Sequence, residues 1–168
     1  MLQDEPLLSK DDYDREFEKA LDMIYSIGLK LYRGNEDDAA DFAQSVYVFA
    51  LKQLGKFGGR SAFSTWLYRL AWNFGLEDLR RKKRLVTETI DNFDIAADEP
   101  EPVFEEEEIE RLRTHIATLP DNYRIPLILL FFENMPYAEI SAITGMKEGT
   151  LKANVHRAKH ILRQKMEK

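Results

Sequence analysis

The chain contains no cysteine, so neither a disulfide nor a thiolate metal site is open to it. Its first fourteen residues are polar and acidic, without the basic start and apolar run of a secretory signal. No apolar stretch approaches the roughly 20 residues that a bilayer-crossing helix needs. A cytoplasmic protein with no membrane insertion is therefore expected. Strand signals are scarce as well, because no sustained apolar/polar alternation is bounded by Asn-Gly or Asp-Gly turns. His115, His156 and His160 are the only histidines. His156 and His160 stand four apart, as in a zinc protease helix, but Arg157 takes the place of the glutamate base among cationic neighbours. Gly58 and Gly59 are not followed by the Gly-Lys-Ser/Thr of a phosphate loop. No metal, no cofactor and no enzymatic activity are expected.

What is present is charge, unevenly spread. The whole chain carries −6, which by itself argues against a nucleic-acid partner. Residues 1–55 carry −6, residues 56–85 carry +6, residues 86–110 carry −11 without one Lys or Arg, and residues 111–168 carry +5. Two basic blocks are separated by a purely acidic one, and such asymmetry bears on binding more than the total does.

Helical spacing recurs along the chain. Residues 13–32 place Phe17, Leu21, Ile24, Gly28 and Leu31 on one stripe, and Gly34-Asn35 ends it. A second run, residues 37–54, opens with acidic residues, as the positive end of a helix dipole prefers. After the turn at Phe57-Gly58-Gly59, residues 61–84 form a long amphipathic helix with Phe63, Trp66, Leu67, Leu70 and Phe74 on its apolar face. Over residues 86–107 the pattern fails among Pro100, Pro102 and acids, which reads as a linker. Spacing resumes at Ile109, Leu112, Ile116 and Leu119. Pro126 is tolerable only early in a helix, so the next helix should start near Asp121 or Asn122. The expected fold is all-α: a tail (1–11), a helical domain (12–85), an acidic flexible linker (86–107) and a second small helical domain (108–168).

In that second domain a short helix from Tyr137 ends at Gly145, where a left-handed backbone is needed. The helix after it buries Leu151, Val155, Ala158 and Leu162 and presents Lys152, His156, Arg157, Lys159 and Arg163. This reads as a helix-turn-helix whose second helix suits a major groove, with phosphates attracting the charge and side chains near the helix start reaching base edges. An ordinary helical hairpin with a solvated basic face has the same spacing, and neither Lys147 nor Glu148 is a good N-cap.

Residues 56–84 combine six aromatics with eight bases. Rings interleaved with cations suit single-stranded DNA, whose bases stack while cations hold the backbone. Phe63, Trp66 and Phe74 are assigned to the core, whereas Tyr68 and Trp72 lie on another face and are the candidates for exposed stacking. The run of bases at residues 80–84 is either a duplex phosphate contact or a solvated helix end.

Taken together, these stretches resemble the extracytoplasmic-function (ECF) sigma factors, the small sigma subunits of bacterial RNA polymerase. The residues that carry the resemblance are DAADFAQ (38–44), FGGRSAFSTWLYRLAWN (57–73) with the basic run, and Leu119-Pro120, YAEI (137–140) and GTLKANVHRA (149–158). The resemblance implies a polymerase-binding helix with Asp38, Asp41, Phe42, Gln44, Ser45 and Phe49. It implies a segment that captures a flipped base of the minus-ten element, built from Lys56, Arg60, Ser61 and Asn73, with Trp66, Tyr68, Arg69 and Trp72 shaping it. Arg80, Arg81 and Lys82 extend that segment. It implies a minus-thirty-five helix reading DNA with Thr150, Lys152, Ala153 and Asn154, then His156, Arg157 and Lys159. The implied partners are the clamp and flap regions of core RNA polymerase, promoter DNA in duplex and single-stranded form, and an anti-sigma factor, which the family commonly has.

Departures from the family pattern are visible. Ala153-Asn154 replaces a frequent small-polar-plus-Arg pair, and Asn154 would instead bond adenine. Trp72 stands where a base is frequent, Ser45 where an acid is common, and Ser141 and Thr144 are more polar than the usual Ala and Leu. Two other function classes stand beside this reading: a helix-turn-helix transcriptional regulator independent of polymerase, and a helical interaction module without DNA binding.

Overall fold

The structure is a computed structural model and describes residues 6–82, 84–85 and 105–168. Among the described residues there are seven α-helices, one 3-10 turn and no strand. The helices are α1 (Lys10–Leu31), α2 (Glu36–Gln53), α3 (Phe63–Arg81), α4 (Glu106–Ala117), α5 (Asp121–Phe131), α6 (Tyr137–Thr144) and α7 (Glu148–Met166). The 3-10 turn Leu54–Lys56 follows α2. The chain divides into two compact units, residues 1–78 and 79–168, so α3 contributes to both. Most of the expected acidic linker, residues 86–104, and the start of the tail, residues 1–5, lie outside the described residues.

In the first unit, Ser9 starts α1 three residues earlier than the apolar spacing indicates. Its hydroxyl accepts the Asp12 backbone N–H at 3.2 Å, and Asp11 and Asp12 occupy the positive end of the helix. Gly34, with φ 79°, lets the chain reverse after α1. Asn35 then caps α2 by accepting the Asp38 N–H at 3.0 Å. The two helices run antiparallel and touch closely at Gly28, where a Cβ would lie 2.9 Å from the Ala39 Cα. Tyr13, Phe17, Ala20, Ile24, Ile27, Gly28 and Leu31 form the buried stripe of α1. Leu21, expected on that stripe, is 43% exposed. It stands three residues short of Ile24 and four past Phe17, but the stripe drifts toward Ala20 and Ile27, which carries Leu21 outward.

Helix α3 closes this unit. Phe63 meets Tyr13 edge-on at 5.8 Å, Phe74 lies against Phe42 and Phe49 at 6.1 and 4.9 Å, and Gly75 admits the Leu31 side chain. The Tyr32 hydroxyl donates to Asp78 at 2.9 Å.

In the second unit α7 is the central helix, packed by α4, α5 and α6. Its buried residues include Leu151, Val155, Ala158 and Leu162, as the spacing predicts. Helix α5 starts at Asp121, also as expected, yet Pro126 falls inside it rather than in its first turn. Asp121 accepts two bonds from Arg124, at 3.0 and 2.8 Å, and pairs with Arg84 Nε at 2.7 Å. Arg124 is fully buried, so its charge depends on this carboxylate. Gly145, with φ 76°, ends α6 and makes the turn into α7. Ser141 and Thr144, the polar departures, brace that turn. The Ser141 hydroxyl donates to the Met146 carbonyl at 2.7 Å, the Thr144 hydroxyl donates to the Ile140 carbonyl at 2.7 Å, and the Met146 N–H donates to Thr144 Oγ1 at 3.2 Å.

The two close-approach glycines give a stability test. At Gly28 an added methyl meets backbone, and overpacking of about 1–3 kcal/mol outweighs the gain in helix propensity of about 1 kcal/mol. At Gly75 the obstacle is a rotatable Leu31 methyl. Gly28→Ala is therefore expected to lower the urea midpoint clearly and Gly75→Ala to change it less; equal midpoints would mean that α1 and α2 separate freely.

Candidate nucleic-acid interface

The first cationic surface is built on aromatic rings. Tyr13, Phe17, Tyr47, Phe57, Phe63 and Trp66 form a connected cluster with centroid separations of 5.1 to 5.8 Å. The Tyr13 hydroxyl donates to the Tyr47 carbonyl at 2.7 Å, and the Tyr47 hydroxyl donates to Asp14 at 2.7 Å, which ties the cluster to α1 and α2. Residues 58–62 connect Phe57 to Phe63 of this cluster and are all exposed, and Gly59 takes φ 67°. Lys56, Arg60 and Ser61 are all exposed here.

The loop continues onto the outer face of α3, where Arg69 and Asn73 are exposed one turn apart and joined by an Asn73 Nδ2 bond to the Arg69 carbonyl at 3.0 Å. Trp66 and Tyr68 are half-buried and still offer ring surface. Trp72 does not. The expectation that it is an exposed stacking platform is corrected, since its exposure is 0%. Trp72 is followed at four and seven residues by Leu76 and Leu79, both fully buried, so it belongs to a second apolar stripe of α3. Its indole N–H has no hydrogen-bond partner among the described residues. Arg80, Arg81 and Lys82 fall in the second unit, with Arg81 and Lys82 exposed and Arg80 half-buried, donating to the Thr144 carbonyl at 3.3 Å.

The second cationic surface is α7. Lys152 is exposed, and Ala153, His156, Arg157 and Lys159 are half-buried. Two expected base readers lie in the interior instead of on the exposed face. Asn154 is only 7% exposed, with its amide nitrogen 3.9 Å from the Met146 sulfur of the turn, and Thr150 is buried as well. His160 contacts Gln164 at 3.1 Å. Among the described residues no group of His, Cys, Asp or Glu is arranged to hold a metal.

The third surface is the outer face of α2, where Asp38, Asp41, Gln44 and Ser45 are exposed. Phe42, expected among them, is corrected to the core, where its ring meets Tyr32 and Phe74. Phe49 is half-buried against Phe74. Val48, which the sequence reading did not single out, is 49% exposed on the same face as Gln44 and Ser45. Its position four residues after Gln44 was the available signal.

Two helical units with separate exposed cations, the second a helix-turn-helix, define a DNA-binding protein. Comparison with known families makes the class specific. Residues 17–85 match the family model Sigma-70 region 2, and residues 109–162 match Sigma-70, region 4. The chain is 31% identical over 157 residues to the ECF RNA polymerase sigma factor SigW of Bacillus subtilis (strain 168), covering 86% of this chain and 83% of that one. It is 27% identical over 161 residues to the ECF RNA polymerase sigma factor SigE of Mycolicibacterium smegmatis, covering 93% of this chain and 62% of that one. A solved structure, the sigma factor RpoE in complex with the anti-sigma factor NepR from Bartonella quintana, shares the fold with a TM-score of 0.60 at 21% identity, covering 94% of this chain and 98% of that one. The chain belongs to the ECF group of the sigma-70 family and is an RNA polymerase sigma factor. No helix among the described residues is long and apolar enough to cross a membrane.

The different burial of the two tryptophans is directly measurable. In Trp66→Phe the remaining Trp72 emission is expected to resist acrylamide, while in Trp72→Phe the remaining Trp66 is quenched. Trp72→Ala is expected to cost about 3–5 kcal/mol of stability. Efficient quenching of Trp72 would contradict its placement.

Proposed function

We propose that this chain directs core RNA polymerase to promoters by reading one element as duplex and trapping the other after melting. The observation that carries this is the exposed loop at residues 58–62 with exposed Lys56 before it, its ends anchored by Phe57 and Phe63 in a cluster of rings and continuing into Trp66, Tyr68, Arg69 and Asn73. A flipped base loses a few kcal/mol of stacking, which ring surface and a shaped loop offset. A duplex-only regulator has no use for such a loop.

In this mechanism α2 docks on the polymerase clamp through Asp38, Asp41, Gln44 and Ser45, with half-buried Phe49 at the edge. Lys56, Arg60 and Ser61 hold the minus-ten strand, and Arg81 and Lys82 meet flanking phosphates, joined by Arg80 when it is available. Helix α7 reads the minus-thirty-five duplex with Lys152, Ala153, His156, Arg157 and Lys159. The functional division follows residues 12–85 and 108–168, joined by the acidic stretch 86–107. The protein performs no chemistry of its own; polymerase forms the bonds. It acts in the cytoplasm, and an anti-sigma protein is a further partner of the kind bound by the Bartonella quintana factor.

Core polymerase supplied with this chain is expected to start transcripts at discrete positions on genomic DNA, mapped by their 5′ ends. Lys152→Ala is expected to weaken upstream-element binding and to flatten its salt dependence by about one phosphate contact. If core polymerase gains no start-site selectivity while the chain still binds duplex DNA, the polymerase-independent regulator is the correct reading.

A further inference from the structure

The cations of α7 are not simply solvated. Lys152 Nζ lies 5.6 Å from the centre of the Tyr137 ring, the first residue of α6. Lys159 Nζ lies 4.7 Å from the Phe131 ring, the last residue of α5. An Arg157 Nη donates to the Tyr123 hydroxyl at 3.2 Å. All six residues belong to the second unit, and the three aromatic residues are half-buried, so each keeps a wet side.

Their placement around the helix has a consequence for DNA. Lys152 and Lys159 are seven residues apart, two turns, and share one flank, while Arg157 lies about 140° around from Lys152. Ala153 and His156 occupy the strip between the flanks. A helix inserted in a groove has phosphates on both sides, and this arrangement puts a held cation toward each wall. The type of partner matters too. In a chain with 30 acidic residues, Lys152 and Lys159 have no carboxylate within ion-pair distance among the described residues. A carboxylate would cancel the charge that a phosphate needs. A ring holds the ammonium by its quadrupole and leaves the charge intact.

We propose that Tyr123, Phe131 and Tyr137 form an aromatic collar that positions the cations of α7 for the phosphates of duplex DNA. These are positioning residues: they act through Arg157, Lys159 and Lys152 and do not themselves read DNA. By restricting long side chains beforehand, the collar reduces the ordering cost of binding. The proposal rests on the reading of α7 as the DNA-facing helix.

The test uses the full chain and a labelled mixed-sequence DNA duplex, with dissociation constants measured across a salt series. The reference is the triple variant Lys152→Ala, Arg157→Ala, Lys159→Ala, which removes the cations themselves. Phe131→Leu and Tyr137→Leu are each expected to weaken binding about two- to fivefold with the salt slope unchanged, because the number of phosphate contacts stays the same. Tyr137→Phe, which keeps the ring, is expected to bind like the parent. Tyr123→Phe, which removes one oxygen and leaves the packing, is expected to weaken binding in the parent and to have no further effect in Arg157→Ala. If the triple variant loses affinity while the ring variants bind unchanged or more tightly, the collar is overturned and α7 remains the DNA face. If the triple variant binds like the parent, both fall together.

Discussion

The contact of aromatic rings among α1, α2 and the start of α3 is the interaction on which the loop proposed to hold the melted strand depends. Residues 58–62 have no buried side chain of their own and include two glycines, so nothing in the loop itself specifies its shape. Its two ends are held by rings. Phe57 and Phe63 flank the loop, meet each other at 5.6 Å and both touch Trp66, and Phe63 reaches Tyr13. Phe57–Phe63 and Phe63–Tyr13 are edge-to-face, and aromatic pairs of this kind each contribute about 0.5–1.5 kcal/mol beyond area burial. An exposed, glycine-bearing loop thereby keeps a defined path while leaving its cations and backbone free for a partner.

A second constraint runs through both units. A helix has one face to bury and one to present, and each side chain is committed to one of them. This explains what was legible in the sequence. The stripe Leu151, Val155, Ala158, Leu162, the start of α5 at Asp121 and the left-handed turn at Gly145 all follow from spacing and local backbone chemistry. The exceptions arise where a helix carries more apolar or polar side chains than one face accommodates. Helix α3 has two apolar stripes, and Trp72 with Leu76 and Leu79 belongs to the second, which a single-stripe reading leaves in solvent. Phe42 was grouped with its exposed neighbours by resemblance, although its spacing to Ala39 and Val46 puts it inside. Asn154 is assigned to base reading by the resemblance, yet its amide contacts the Met146 sulfur of the turn in the interior, a contact that depends on tertiary packing. Ser141 and Thr144 looked like losses of apolar packing and instead brace the backbone of the turn.

Electrostatics ties the units into one function. The overall charge of −6 conceals a +6 block around the loop and α3 and a +5 block in the second unit. Each surface offers only a handful of cations, which gives weak and salt-sensitive affinity when used alone. In the proposed mechanism, the two surfaces joined in one chain and held on polymerase each raise the effective concentration of the other at a promoter. The negative total in turn discourages indiscriminate binding to nucleic acid.

The most direct measurement is permanganate reactivity of unpaired thymines just upstream of a transcription start mapped with the reconstituted enzyme. The account predicts that these thymines react when the parent chain is present and become protected or paired when Arg60, Tyr68 and Arg69 are replaced by alanine, with polymerase binding retained. Unaltered reactivity in that variant would contradict the claim that the ring-supported loop holds the melted strand.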